Sequence, residues 1–132
     1  MTPIIQQSVR FRATPDLLFE LYVDSRKHSA STGMPAKVSR KVGGTFTAFG
    51  RKIHGKNLLV VPGKRIVQAW RASHWKKDEW SILILSFNRV AGGAEIDLVH
   101  VGVPAHDHKG VREGWPKYYW KPWKKFLGGM MK

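Results

Sequence analysis

His100 is the ionisable residue whose position most invites a chemical reading. It alternates in phase with Ile96 and Leu98 along the run Ala94–Val103, so its imidazole should face the same interior as two aliphatic side chains. An inward imidazole can hold a ligand carbonyl or carboxylate, act as a general acid or base, or serve as a hydrogen-bonded core residue. The pattern sets no carboxylate beside it. That favours the core role, paired with the hydroxyl of Tyr118 or Tyr119, over catalysis. His106 and His108 flank Asp107, but a metal site needs three or four convergent ligands, and His28, His54 and His74 are scattered. The triplet is taken as a polar helix start, with Asp107 at the positive end of the dipole. Asp78 and Glu79 fall in a turn and receive no acid–base role. The "VGGTF" and other glycine doublets lack dinucleotide-loop or P-loop spacing, and no nucleophile elbow is present. No catalytic residue, metal or cofactor is therefore assigned.

The other chemistry-bearing feature is aromatic. The stretch "GWPKYYWKPWKKF", Gly114–Phe126, holds six aromatics, two prolines and four lysines in thirteen residues. Val111, Trp115, Tyr118, Tyr119, Pro122 and Phe126 fall near one helical stripe, and Trp123 widens it. Lys117, Lys121, Lys124 and Lys125 mostly take the remaining surface. Pro116 and Pro122 lack an N–H, so the helix should bend or break near Gly114–Pro116 and again before Pro122.

These residues need a partner layer. Ile4–Arg12 alternates as a strand. Thr14 is suited to N-cap a short helix with Pro15 at its first position, and Leu17, Leu18, Leu21 and Tyr22 follow at helical spacing to about Val23. Ser25–Ser31 suits a second short helix. From Gly44 the period becomes two, and Thr45–Phe49, Lys52–Val61, Arg65–Ala72, Trp80–Arg89 and Ala94–Val103 read as five strands of an antiparallel meander. In Trp80–Arg89, Leu83, Leu85 and Phe87 share one face and Ile82 and Ile84 the other, so that strand should be covered on both sides or lie mid-sheet. The fold class is α+β, one domain over residues 1–132: a strand, two short helices, five further strands, and a long C-terminal helix laid on a sheet of about six strands. These faces aim Phe46, Trp70, Leu83, Leu85, Ile96, Leu98 and His100 at Trp115, Tyr118 and Tyr119, with Tyr22 and Met34 at the rim. That is the lining of a small-molecule pocket or, alternatively, an interlocked core.

Charge narrows the partners. The chain carries 23 Lys plus Arg against 9 Asp plus Glu, a net charge of +14. No acidic residue lies between Asp24 and Asp78, while 13 cations do. A field of one sign serves solubility or draws an anionic partner. Alternation sends many of these lysines to ordinary solvated strand positions, which tells against a groove for single-stranded nucleic acid. There is no cysteine, no signal-peptide core, and no run near the eighteen or so apolar residues of a membrane span. A cytoplasmic protein is expected, and its oligomeric state is left open.

The element order matches the helix-grip architecture, in which a curved antiparallel sheet wraps a C-terminal helix. The segments "RKVGGTFTAFGRKIHGKNLLVVPGKRIVQAWR", "SFNR", "HVGVP" and "GWPKYYWKPWKKF" resemble the homologues of the heat-shock protein 90 ATPase activator, within the START-like (SRPBCC) superfamily. The resemblance runs from about Val9 to Leu127. It implies a ligand-sized cavity under the helix and a chaperone- or stress-linked role. It supplies no obligatory catalytic residue. It also implies that the eukaryotic activator's separate N-terminal domain has no counterpart in this chain. The preferred expectation is a non-enzymatic binder of a small apolar or amphipathic ligand. The alternatives are a basic module docking an acidic protein or nucleic acid, and a cyclase- or hydratase-type enzyme using His100 with a tyrosine.

Overall fold

The computed structural model describes residues 2–130. Strand β1 (Ile5–Phe11) leads through the Thr14 cap into helix α1 (Pro15–Val23), and the Thr14 hydroxyl accepts from the Leu17 N–H. Asp24 ends α1 and caps α2 (Ser25–Thr32), which stops at Gly33 in a left-handed conformation. Six strands follow: β2 (Lys37–Val38), β3 (Thr45–Ala48), β4 (Ile53–Val61), β5 (Arg65–Ala72), β6 (Ser81–Val90) and β7 (Gly93–Val101). They form one antiparallel sheet with β1, in the order β1-β7-β6-β5-β4-β3-β2. The two-residue β2 brings the sheet to seven strands, one more than the alternation announced, because two residues are too few to show a period. Turn chemistry sets the hairpins. At "PGK", Lys64 N–H closes on Val61 C=O at 2.9 Å and Gly63 takes φ +72°.

The inner face of the sheet carries the core. Ile66, Leu83, Leu85, Ile96 and Leu98 are buried in one core with Leu18, Leu21 and Tyr22 of α1 and the aromatic residues of the C-terminal helical segment. On β6 the inward set is Leu83, Leu85 and Phe87, as alternation requires. The strand lies mid-sheet, but its outer residues Ile82 and Ile84 are uncovered.

After a 3-10 turn at Ala105–Asp107, the last segment runs as α3 (His108–Trp115), a π-turn (Pro116–Trp120) and α4 (Lys121–Met130). The path is not broken at Pro116. The missing N–H leaves the Arg112 carbonyl without its helical donor, and Gln7 on β1 supplies one, Nε2–H to O at 2.8 Å. The π-turn holds one residue more per turn than the α-helix, so the stripe beyond it shifts phase. Trp120 and Trp123 are buried, whereas Tyr118, expected on the sheet-facing stripe, is 49% exposed.

Candidate functional site

One cleft of about 530 Å³ opens between α3 with its π-turn and the β3–β4 side of the sheet. Trp70 on β5, Trp115, Tyr118 and Tyr119 form much of its wall, with Val111, Gly110 and Gly114 on the helical side. Phe49 and Ile53 close the opposite side, Met34 lies at the rim, and Lys52, Ser73, His74 and Asp107 edge the mouth. The rings interlock: Trp115 stacks on Tyr119 with centroids 4.7 Å apart, and Phe49 meets Tyr118 and Tyr119 edge-on at 5.8 and 5.4 Å. Phe49 reaches them from a turn in which it and Arg51 hold left-handed φ of 53° and 84°. A bulky residue there is strained, and the aromatic contacts offset that strain.

Of the twelve residues expected to line a pocket, the structure brings Met34, Trp70, Trp115, Tyr118 and Tyr119 to this cleft. Tyr22, Phe46, Leu83, Leu85, Ile96, Leu98 and His100 do not reach it; each is at most 3% exposed, within the packed core. The reason is curvature. Helix α1 and the C-terminal helical segment together cover the middle strands and fill that space, so the opening is displaced toward β3 and β4. Phe49, Ile53 and Val111 were missed as lining. The one signal for Phe49 was its place beside Gly50, next to a turn.

His100 is a satisfied core residue, with partners other than the expected tyrosines. Its Nε2–H donates to Ser81 Oγ (2.8 Å), Ser81 donates to the Trp70 carbonyl (2.7 Å), and Trp115 Nε1–H donates to His100 Nδ1 (3.2 Å). Each group has one consistent role, so the network assigns the neutral Nε2–H tautomer. Burial pushes its pKa down to about 3. The Tyr119 hydroxyl serves His28 instead: it donates to Nε2 (2.9 Å), while His28 Nδ1–H donates to the Tyr22 carbonyl (2.7 Å). Burial lowers His28 to about 4. Tyr22 O–H donates to Gln68 Oε1 (2.8 Å), and Gln68 Nε2–H to Asn57 Oδ1 (3.0 Å). These buried networks orient Tyr119 and Trp115, and so shape the cleft wall from behind.

At the mouth, Asp107 accepts from Trp75 Nε1 (2.8 Å) and lies 3.3 Å from His74 Nε2. It stands at the N-cap position of α3, at the helix start where the sequence placed it, and its carboxylate makes no side-chain cap bond there. His106 turns away to Glu79 (2.8 Å) and His108 to the Pro3 carbonyl (2.9 Å), so the triplet diverges. Glu79 is thereby engaged rather than freely solvated, and it also accepts from the Lys76 N–H. His74–Asp107 is the acid–base pair that touches the cleft. Among the described residues no hydroxyl is hydrogen-bonded to His74.

The comparisons with known proteins agree with this architecture. The family described as "Activator of Hsp90 ATPase homolog 1-like protein" matches residues 12–128. The human protein named activator of 90 kDa heat shock protein ATPase homolog 1 is 28% identical over 118 residues, covering 89% of this chain and 35% of the relative. A Dictyostelium discoideum homologue is 28% identical and is covered over 30% of its length, so the chain spans about a third of the curated relatives it matches. Among solved structures, an HSP90 activator from Plasmodium falciparum superposes with a TM-score of 0.87 at 23% identity, covering 95% of this chain and 96% of that one. A Mesorhizobium loti protein gives 0.81 at 16% identity, covering 96% and 97%. These likenesses carry the helix-grip fold, and the matched residues carry the family: the chain belongs to the activator of Hsp90 ATPase homolog 1-like family.

Proposed function

We propose that the chain is a non-enzymatic binding protein that takes a small apolar or amphipathic molecule into the cleft beside the C-terminal helical segment. The observation that carries this reading is the wall itself: five aromatic residues around about 530 Å³, edged by Lys52, Ser73 and His74. That volume and lining are those of small-molecule sites. Absence of catalysis is supported by the two buried histidines, whose ring nitrogens are fully engaged and held neutral. A ligand with an acidic group would meet Lys52 at the mouth, whose other edge carries the His74–Asp107 pair.

Gly114 offers the cleanest test. It sits in α3 on the cleft wall, and a Cβ there would meet only the Tyr118 ring at 3.5 Å. Gly114→Leu should fill the opening while gaining about 1 kcal/mol of helix propensity. Anilinonaphthalene sulfonate should brighten with the wild type, and the variant should lose at least about nine-tenths of that signal without a lower melting temperature. Equal uptake by both proteins, or none by the wild type, would overturn the reading.

A second reading is favoured by the relatives' names and by the acid-free stretch between Asp24 and Asp78. In it, the chain docks through basic residues on an acidic face of a 90 kDa heat-shock ATPase. Both readings fit a cytosolic protein.

A further inference from the structure

The outer face of the sheet is the unexplained surface of this fold. An antiparallel sheet covered on one side normally turns polar residues outward on the other. Here the register stacks apolar residues in two adjacent outer rows. One row runs Val67–Ile84–Val99 across β5, β6 and β7, and the next runs Ala69–Ile82–Val101. Leu59 of β4 extends the first row beside Val67. Among the described residues, nine large apolar side chains are more than a third exposed, and six of them (Ile4, Leu58, Leu59, Trp80, Ile82 and Val101) lie on this face or its margins. A contiguous apolar patch on a chain this rich in charge marks an interaction site.

Its symmetry selects the occupant. β6 is the middle strand of the five, β1-β7-β6-β5-β4, that the patch spans. Across β6, Val67 mirrors Val99 and Ala69 mirrors Val101. In the flanking row, Arg65 mirrors Asp97, with Ser86 between them. Within the chain Arg65 bonds only Ser86 Oγ (3.2 Å), and Asp97 accepts from Ser8 and Asn88; neither meets an opposite charge among the described residues. We propose that this face pairs with the same face of a second copy about a two-fold axis along β6. That operation lays Val67–Ile84–Val99 and Ala69–Ile82–Val101 each on its own mirror image, meets Leu59 with Gln6 at the end of the first row, and sets Arg65 of one copy against Asp97 of the other, twice. The two apolar rows carry no charge on β5, β6 or β7, so the net charge of +14 does not act at the centre of contact. The apolar centre is roughly 20 Å across the strands and 14 Å along them, short of the ~800 Å² per partner of a standard interface. The dimer is therefore weak, with a dissociation constant of about tens to hundreds of micromolar.

Sedimentation of the full chain from about 5 to about 500 µM tests this. The expected result is a monomer–dimer equilibrium that Ile82→Lys shifts to monomer throughout, with unchanged circular dichroism. Arg65→Glu and Asp97→Lys should each weaken the dimer about tenfold, and the double variant should recover most of the loss. A wild type monomeric at the highest concentration would overturn the proposal, including the case in which the patch receives a different protein. So would a dimer indifferent to Ile82→Lys. A double variant no better than either single one would overturn the two-fold axis along β6.

Discussion

Two histidines with the same side chain as the solvent-exposed His74 behave differently because the fold surrounds them. His100 and His28 are each at most 1% exposed and each use both ring nitrogens, so a proton on His100 would break its bond from Trp115, one on His28 would force the Tyr119 hydroxyl to become the acceptor, and either would place a charge in the core. Their native pKa values, about 3 and about 4, lie below the ordinary 6.5 that the unfolded chain keeps. Above pH 6.5 both states are neutral and the histidines impose no penalty. Below it the unfolded chain takes up protons that the native state refuses, so stability falls toward pH 4 by about 1.4 kcal/mol per pH unit for each histidine. Urea midpoints measured between about pH 7.5 and about pH 4.5 should show this decline. His28→Gln and His100→Gln should each remove about half of the slope, whatever they do to stability at neutral pH. A slope unchanged by both would mean that other groups carry the acid sensitivity.

At the scale of elements, the decisive junction is between β1 and the helical segment. Gln7 donates to the carbonyl orphaned by Pro116 and accepts from Trp120 Nε1 at 2.9 Å. One side chain thus satisfies a backbone group in α3 one turn before the π-turn and the indole of its last residue, fixing the phase with which the aromatics meet the sheet. Gln7→Ala should lower the unfolding free energy by about 1–3 kcal/mol, most of it from the buried indole N–H. Gln6→Ala, on an exposed neighbour facing outward, should stay within about 0.5 kcal/mol. Urea unfolding of the two variants checks the contrast. The same π-turn explains why the stripe read from spacing was right for Val111, Trp115 and Tyr119 yet placed Tyr118 inward and left Trp120 out. Periodicity presumes 3.6 residues per turn, and one inserted residue rotates all that follow.

For the whole molecule, the sheet divides two kinds of surface. Its inner side holds the core and the cleft, its outer side the apolar rows, and the cations between Asp24 and Asp78 are mostly exposed. If an acidic protein docks on those cations, its association rate should fall steeply as salt rises from about 50 to about 200 mM, because exposed charges are screened over about 10 Å. A stopped-flow salt series against a purified 90 kDa heat-shock ATPase would show this. A rate independent of salt would argue against the basic surface as the contact. Uptake of a ligand by the cleft should be affected far less, since its walls are aromatic.

The sequence by itself determined what depends on local period and turn chemistry: the capped α1, the strands from Thr45 onward, the inward phase of Ile96, Leu98 and His100, and the motifs that carry the family. Tertiary structure decided what depends on packing between distant residues. Tyr119 bonds His28 across 91 positions, and Trp120 bonds Gln7 across 113. The cleft opens beside Phe49 rather than above Leu83 and Leu98, because α1 and the C-terminal helical segment together fill the centre of the sheet. Alternation states which residues share a face; only the register and the covering layer decide which face is left open.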